Sequence, residues 1–265
     1  MEKAIHSPSY SIFNKPPNLE LFQQTCKYLS HPRLVSNGVG TLNEKTIHAT
    51  LKHYYAPDPL YHETKVGSYV ADVLIDSHIL EVQTRHFHTL HKKLDAFLPH
   101  HHVTIVYPIA STKWLCWIDE ETGEITSKRR SPKKGALYAI MPELYRIKNY
   151  LTHPHLHIIL TFMDVEEYRL LNGWSKDKKR GSSRHDGIPT ELVGEVYLNT
   201  LADYVQFLPN TLPDIFTSKD YMKCAKVSTK VAGTALNILH FLGIVNRAGK
   251  KGNAFLYERG TLDSV

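Results

Sequence analysis

Cysteine is scarce in this sequence, and no long apolar run occurs. The three cysteines, Cys26, Cys116 and Cys224, lie far apart and form no Cys-x-x-Cys spacing. This pattern argues against a disulfide framework and against a cysteine-based zinc site. No segment approaches the ~20 apolar residues of a membrane span, and the first residues lack the apolar core of a signal peptide. We therefore expect a cytoplasmic protein.

The overall composition favours a globular, moderately basic protein. Hydrophobic residues make up 42% of 265 residues, which is enough for a packed core in one large domain or two smaller ones. The net charge of +6 is compatible with a nucleic-acid partner but does not require one. Histidine is abundant, yet the runs 100–102 and 153–157 have no acid or cysteine motif beside them, so we expect no zinc there.

Residues 70–84 predict two apolar strands joined by a tight turn. Both halves alternate between apolar and polar side chains with a period of two. If Asp76 and Ser77 form a two-residue turn, Asp72 lies directly opposite Glu81. Opposed side chains have Cβ atoms roughly 4.5 to 5.5 Å apart, so two carboxylates meet across the hairpin. A register slip of one residue would separate them.

Such a carboxylate pair is suited to a divalent cation. Without a cation, like-charge repulsion would raise the pKa of one acid. Mg²⁺ prefers oxygen ligands and is typically held by one or two protein carboxylates. The alternative is that Asp72 and Glu81 are two charged positions on the solvent face of an ordinary hairpin.

The pattern of Asp72, Glu81 and Gln83 resembles the motif of the PD-(D/E)XK nuclease superfamily. The resemblance implies an α/β, restriction-endonuclease-like fold, with a mixed central sheet flanked by helices, and catalysis that depends on Mg²⁺, for which Mn²⁺ substitutes. Gln83 departs from the usual lysine, which in that family holds or activates the attacking water. An amide can orient a water but carries no positive charge.

A helix is predicted just upstream, over residues 41–55, with a proline-containing break after it. The superfamily core begins with such a helix, which often presents a glutamate toward the metal, and Glu44 matches that residue. Alternatively, Glu44 complements the helix dipole.

Downstream, residues 87–98 have apolar side chains at helical spacing, with Lys92 and Lys93 on the flank. Two strands are predicted to follow, at residues 102–107 and 113–118. This order of elements is that of the nuclease core, and it implies that the two lysines contact the nucleic-acid backbone.

Two basic runs are further candidates for phosphate contacts. Residues 128–134 carry five cations and no acid. The second run contains Lys176, Lys178, Lys179, Arg180 and Arg184. Each run could instead be a solvated loop.

The C-terminal third changes in composition, with a polar, turn-rich boundary around residues 181–189. Beyond it we predict helices at 196–208, 218–225 and 229–242, and a hairpin at 244–257. Three helices and a basic hairpin resemble a winged helix-turn-helix domain.

The resemblance implies that the last of these helices enters the major groove and that the hairpin, or wing, meets the backbone or the minor groove. The polar or small residues that the apolar stripe leaves outward are Thr229, Lys230, Gly233, Thr234 and Asn237. The wing carries Arg247, Lys250 and Lys251. Winged helices also dock proteins, so DNA contact is one of two readings.

Together these patterns predict an unassigned extension at 1–40, a nuclease-like domain at 41–185 and a winged helix at 190–265. The architecture is similar to that of restriction-type enzymes and of the transposon-end endonucleases of Tn7-like elements. It implies a Mg²⁺-dependent endonuclease acting on double-stranded DNA, as a homodimer because two strands must be cut, with a possible partner subunit. The alternative is a catalytically inactive DNA-binding regulator, and action on RNA is less favoured.

Overall fold

The computed structural model describes residues 11–35, 46–119, 122–174 and 180–260, and the side chains of 30–35, 126 and 172–180 are outside that description. The helices are α1 (Leu19–Val35), α2 (Thr46–Tyr55), α3 (His91–Phe97), α4 (Met141–Arg146), α5 (Ser218–Ala225) and α6 (Thr229–Phe241). The strands are β1 (His62–Val66), β2 (Tyr69–Ile75), β3 (His78–Val82), β4 (His102–Ile118), β5 (Ile125–Arg130), β6 (Leu156–Trp174), β7 (Arg180–Leu198), β8 (Ile215–Thr217), β9 (Val245–Lys251) and β10 (Ala254–Arg259).

Strands β1 to β7 form one mixed sheet in the order β1-β2-β3-β4-β6-β7, with β5 added to β4. β3, β4 and β6 run parallel, whereas the neighbouring pairs β2–β3 and β6–β7 are antiparallel. A parallel pair needs a crossover connection, and the chain between β3 and β4 supplies one that contains α3. The predicted mixed α/β sheet with flanking helices is therefore confirmed.

Helices cover both faces of this sheet, and the sheet separates the hydrophobic core into two clusters. On one face, Leu51 and Tyr54 of α2 pack with Phe22 of α1 against the buried strand residues Leu80 and Val106. On the other face, α3 and α4 pack together with the C-terminal helices in a second cluster. Within the described ranges, no helix combines the length and apolar composition that a membrane crossing needs.

The predicted hairpin forms with the predicted register. Ile75 pairs with His78 and Val73 with Leu80, so Asp76 and Ser77 make the two-residue turn. Asp76 has a φ of 52°, a left-handed conformation that aspartate tolerates better than most residues. The ladder ends at Val73 and Leu80, and beyond it the Val82 amide donates to the Asp72 side chain, so Asp72 and Glu81 lie beside each other on adjacent strands.

The two strands predicted at 102–107 and 113–118 are one continuous strand, β4, with a register irregularity between Ala110 and Lys113. Its pairing with β3 ends at Val106. Beyond that point β4, β6 and β7 continue as an extension of the sheet, which we call the arm: residues 113–118, 165–174 and 180–189 together with β5.

The chain from 128 to 135 follows the edge of β4 that β3 leaves uncovered. The Gly135 amide donates to the Ala110 carbonyl at 2.9 Å, and the Ser131 amide donates to the Lys113 carbonyl at 2.8 Å. From Trp114 onward, β5 pairs with the same edge. The basic run 128–134, the basic edge from here on, is therefore partly a strand rather than only a loop.

The C-terminal unit contains a three-stranded antiparallel sheet, in the order β8-β10-β9, and the helices α5 and α6. Thr217 caps α5 through a capping box and Ser228 caps α6, so the two predicted helices and the hairpin are confirmed. Gly243, at a φ of 73°, follows α6 as expected for a helix-ending glycine.

Two expectations for this third of the chain are wrong. The helix predicted at 196–208 is instead the end of β7 followed by a 3-10 helix over Leu201–Phe207. The boundary expected at 181–189 lies inside β7. The C-terminal helices also share one buried cluster with α4 and the sheet, in which Leu236 and Leu144 are both fully buried.

Candidate active site

Asp72, near the middle of β2, is held in place from two directions. Its Oδ2 accepts a hydrogen bond of 2.7 Å from the Val82 amide and lies 3.0 Å from Nε2 of His48 on α2. Oδ1 has no hydrogen-bond partner among the residues that the structure describes. One oxygen of Asp72 is thus fixed, and the other is available to a ligand.

Glu81, at the opposing position on β3, is 4% exposed and bound by a lysine. Lys93 of α3 donates to both carboxylate oxygens, at 2.9 and 2.7 Å. The crossover from β3 through α3 to β4 positions this lysine above the hairpin. We call Asp72 and Glu81 the acidic pair.

The two acids differ in their pKa. Burial, and after it the charge of Asp72, raise the pKa of Glu81 to about 7, although Lys93 opposes both effects. Burial would also raise the pKa of Asp72, but the hydrogen bond and charge of His48 and the Val82 amide outweigh it and leave that pKa below its ordinary value. The site therefore contains one firmly ionised acid and one that titrates near neutral pH.

Gln83 follows β3 directly. Its backbone amide donates to the Val106 carbonyl at 2.9 Å, and its side-chain amide donates to the Arg85 carbonyl. The side chain is half-buried, and its nitrogen is engaged with the backbone rather than with the acidic pair. Glu44, the remaining predicted catalytic residue, lies outside the described residues.

From the sequence, His48 was not identified as part of this site, and Lys93 was placed at the nucleic-acid backbone instead of beside Glu81. Lys93 was expected to contact phosphate together with Lys92, but it is bound to Glu81, while Lys92 is exposed on α3. The available signal was the spacing of α3, on which Leu90, Leu94 and Phe97 are buried and Lys93 lies beside them. His48 carried no comparable signal.

The acidic pair fits a divalent cation in donor type. Its carboxylate oxygens are the hard ligands that Mg²⁺ prefers, and two carboxylates are sufficient because Mg²⁺ retains several waters. The pKa of Glu81 is raised first by burial and then by the charge of Asp72, and the bond to Lys93 does not outweigh these two effects. Within the described part of the chain, no group of three or more His, Cys, Asp or Glu side chains is arranged to hold a metal.

The basic edge begins beside this site and leads away from it. The Gln83 amide donates to the Val106 carbonyl, and farther along the same edge of β4 the Gly135 amide donates to the Ala110 carbonyl. Lys133 and Lys134 are exposed there. Farther along, Lys128 lies over the ring of Trp114 at 5.5 Å and binds Glu166, so part of its charge is already offset.

The second basic run is only partly described. Lys176, Lys178 and Lys179 lie outside the described residues, and only the backbone of Arg180 is described, as the first residue of β7. Arg184 is described, and its Nε lies 3.6 Å from an oxygen of the buried Glu167. It is therefore part of an ion network on the arm.

In the C-terminal unit, Thr229, Lys230 and Gly233 are exposed on α6, as predicted. Thr234 is half-buried and its hydroxyl donates to the Lys230 carbonyl, whereas Asn237 is exposed and accepts a hydrogen bond of 3.1 Å from Lys148. The wing residues Arg247, Lys250 and Lys251 are exposed. Cζ of Arg247 lies 4.1 Å and Nζ of Lys250 lies 5.0 Å from the centre of the Phe255 ring.

Comparison with known proteins gives a family but no activity. The chain is 28% identical over 229 residues to an uncharacterized protein of Treponema pallidum (strain Nichols). The alignment covers 83% of this chain and 87% of that protein. No solved structure matches. Residues 45–199 match the model of the family described as Domain of unknown function (DUF8091), and this range runs from the start of α2 to the end of β7. Since the match covers more than half of its length, the chain belongs to this family.

Proposed function

We propose that this chain is a Mg²⁺-dependent DNA endonuclease with the acidic pair as its metal-binding centre. The observation that carries the proposal is the placement of Asp72 and Glu81 across one hairpin with Lys93 bound to one of them. A buried pair of acids with a cationic neighbour is costly unless it serves a ligand, and perturbed pKa values concentrate at functional sites.

Each residue of the site has a role in this proposal. Asp72, fixed by His48 and the Val82 amide, and the ionised Glu81 would hold the metal. Mg²⁺, or Mn²⁺ in its place, supplies a water of lowered pKa and positive charge for the phosphate. Lys93 supplies the protein cation that Gln83 cannot, because its ammonium lies beside Glu81 and can hold a water or a phosphate oxygen.

The order of elements supports a nuclease core of the PD-(D/E)XK type. Helix α2 is followed by three antiparallel strands, by α3, and by β4 parallel to β3. This is the order that the sequence resemblance implies. In this proposal the lysine of the motif is replaced by Lys93, which approaches from α3 instead of from β3.

We propose that the C-terminal unit is a winged helix that binds duplex DNA. A short strand, two capped helices and an antiparallel hairpin follow each other in the chain. Lys230 on α6 and the cations of the wing are exposed. Because Asn237 is bonded to Lys148, contact with DNA would fall to the first turns of α6. Cleavage of both strands with one site per chain would require a homodimer.

A non-catalytic DNA-binding protein is the second candidate. Lys93 occupies both oxygens of Glu81, and the amide of Gln83 is bonded to Arg85. These contacts compensate the acidic pair in part without a metal. In this alternative the hairpin is a scaffold and the basic surfaces alone carry the function.

Incubation of the full chain with supercoiled plasmid separates the two candidates. The endonuclease predicts nicked or linear product with Mg²⁺ and with Mn²⁺, and none with EDTA. A chain that shifts plasmid mobility at low salt, yet produces no cleavage with either metal, would support the scaffold alternative.

A further inference from the structure

A second buried glutamate, Glu167 of β6, lies on the arm and is surrounded by cations. Lys113 of β4 donates to its Oε2 at 2.9 Å, and Arg169 donates to its Oε1 from two nitrogens at 2.9 and 2.6 Å. Arg184 of β7 approaches Oε2 to 3.6 Å. We call Lys113, Arg169 and Arg184 the cation cluster.

The charges of this group do not cancel. Glu167 is 4% exposed, whereas the three cations are 32%, 34% and 34% exposed. Three cations therefore face Glu167, and Asp186, whose Oδ2 accepts from the Thr46 hydroxyl of α2, is a second acid on this side of the arm. These described charges leave an excess of one positive charge. The pKa of Glu167 stays below its ordinary value because its bonds to Lys113 and Arg169 outweigh its burial, so the carboxylate remains ionised and holds the cations in fixed positions.

The cluster lies on the same face of the sheet as α2. Gly187 pairs with Glu167, and a Cβ on Gly187 would lie 3.2 Å from Ile47 of α2 and 3.4 Å from Nη2 of Arg184. Ile47 precedes His48, which contacts Asp72. The cation cluster and the acidic pair are thus connected through one helix.

The cluster also lies at a spacing suited to a polymer of phosphates. Lys113 lies seven positions after Val106, where the pairing of β3 with β4 ends, and seven residue steps of extended chain span at most about 23 Å. That is the rise of roughly seven nucleotides of one DNA strand. Arg129, which lies over the Trp117 ring at 5.4 Å, adds another cation near the cluster.

We infer that the cation cluster binds phosphate groups of duplex DNA on the α2 face of the arm. This inference rests on the proposed function for the identity of the polymer. A network that only neutralised Glu167 would need one cation, whereas this one holds three cations in place and leaves their charge in excess. Guanidinium groups fixed by a carboxylate lose little side-chain entropy when they bind a phosphate.

The test measures binding without cleavage. Affinity of the full chain for a short mixed-sequence duplex is measured in EDTA between about 50 and 200 mM salt. Arg184→Gln and Lys113→Gln should each weaken binding and reduce the slope of log affinity against log salt by about 0.9, the value of one phosphate contact. Lys65→Gln, which removes an exposed cation from β1 at the opposite edge of the sheet, should leave the slope unchanged.

Arg184→Gln removes the longest of the three ion pairs and should leave the thermal unfolding temperature close to that of the parent. Should it fail to fold, Lys113→Gln decides in its place, and Arg184→Lys should keep the parental slope. Folded Arg184→Gln and Lys113→Gln variants with the parental slope would overturn the inference, even if the plasmid is cleaved. Reduced slopes without any plasmid cleavage would uphold the inference and refute the endonuclease.

Discussion

Two glutamates of the same sheet are equally buried, each with 4% of the side chain exposed, and their surroundings are opposite. Glu81 has one lysine and a neighbouring aspartate, and its pKa is raised to about 7. Glu167 has three cations and no described acid bonded to it, and its pKa is lowered. The shifts are opposite because Glu81 is the more strongly desolvated of the two and has Asp72 beside it, whereas the bonds of Glu167 to Lys113 and Arg169 outweigh its burial.

The comparison indicates what each site lacks. The acidic pair around Glu81 has too little positive charge, so a cation is the ligand that would stabilise it. The group around Glu167 has too much, so an anion is the ligand that would stabilise it. A metal centre and a phosphate contact on one sheet are complementary requirements of an enzyme that cleaves a phosphodiester.

Removal of either acid of the acidic pair should change the activity most. Asp72→Asn and Glu81→Gln should each reduce Mg²⁺-dependent plasmid cleavage by more than the roughly 10- to 100-fold that loss of an outer-shell partner costs. Asparagine can still accept the Val82 hydrogen bond, so the fold should persist. Asp76→Asn, in the exposed turn of the same hairpin, is the matched control. Parental rates in the first two variants would refute the endonuclease.

Next in size is the effect of removing the single cation from Glu81. Cleavage should increase with pH through about 7 as Glu81 loses its proton. In Lys93→Met the charge that lowers this pKa is gone, so the profile should move to higher pH and the maximal rate should fall by about 10- to 100-fold. Lys92→Met, one residue earlier and exposed, should change neither. A lower rate with an unmoved profile would mean that Lys93 acts elsewhere.

Glu167→Gln tests the other glutamate and should destabilise the fold by about 2 to 3 kcal/mol at neutral pH, because three cations lose their carboxylate. The folded pKa of Glu167 is lowered, so its contribution is present above the unfolded value near 4.5 and is lost as pH falls through the folded pKa. Urea unfolding at several pH values measures it. Glu166→Gln, on the opposite face, should cost about 1 kcal/mol or less. Equal losses of unfolding free energy in Glu167→Gln and Glu166→Gln would show that the three cations around Glu167 have no special effect on stability.

The smallest effect has the opposite sign. Because the folded pKa of Glu81 is raised, the stability that this residue contributes is present below about 4.5 and is lost as pH rises through about 7. At pH near 8, Glu81→Gln should therefore be more stable than the parent, by about 1 to 2 kcal/mol. Added Mg²⁺ should raise the unfolding temperature of the parent and leave that of the variant unchanged. A destabilised variant would contradict the pKa assignment.

The hairpin register was predictable because alternation and turn chemistry are local. Asp76 and Ser77 fix the turn, and counting from it brings Asp72 and Glu81 beside each other on adjacent strands. The ends of α6 were predictable for the same reason, since Ser228 and Gly243 act on neighbouring backbone groups.

The contacts of Lys93 could not be predicted from the sequence. Helical spacing tells which side of α3 is apolar, but the strand beneath that helix is set by the parallel pairing of β3 with β4, which is a long-range choice. The domain boundary predicted from composition at residues 181–189 was wrong because these residues belong to β7. Its polar stretch 181–187 belongs to the arm, where an edge strand with partly exposed residues has the composition of a linker.

The length of the continuous strand β4 sets the distance between two regions of the sheet. The strand starts beside β3, where the acidic pair lies, and ends beside β5, where the basic edge lies. Each pair of residues added to or removed from its middle would keep the side chains on their faces and shift the two regions by about 6.6 Å, close to the rise of two nucleotides. Under the proposed function, the number of residues between the end of β3 pairing and the start of β5 pairing would set the distance between the phosphates that the arm holds and the position of the cut.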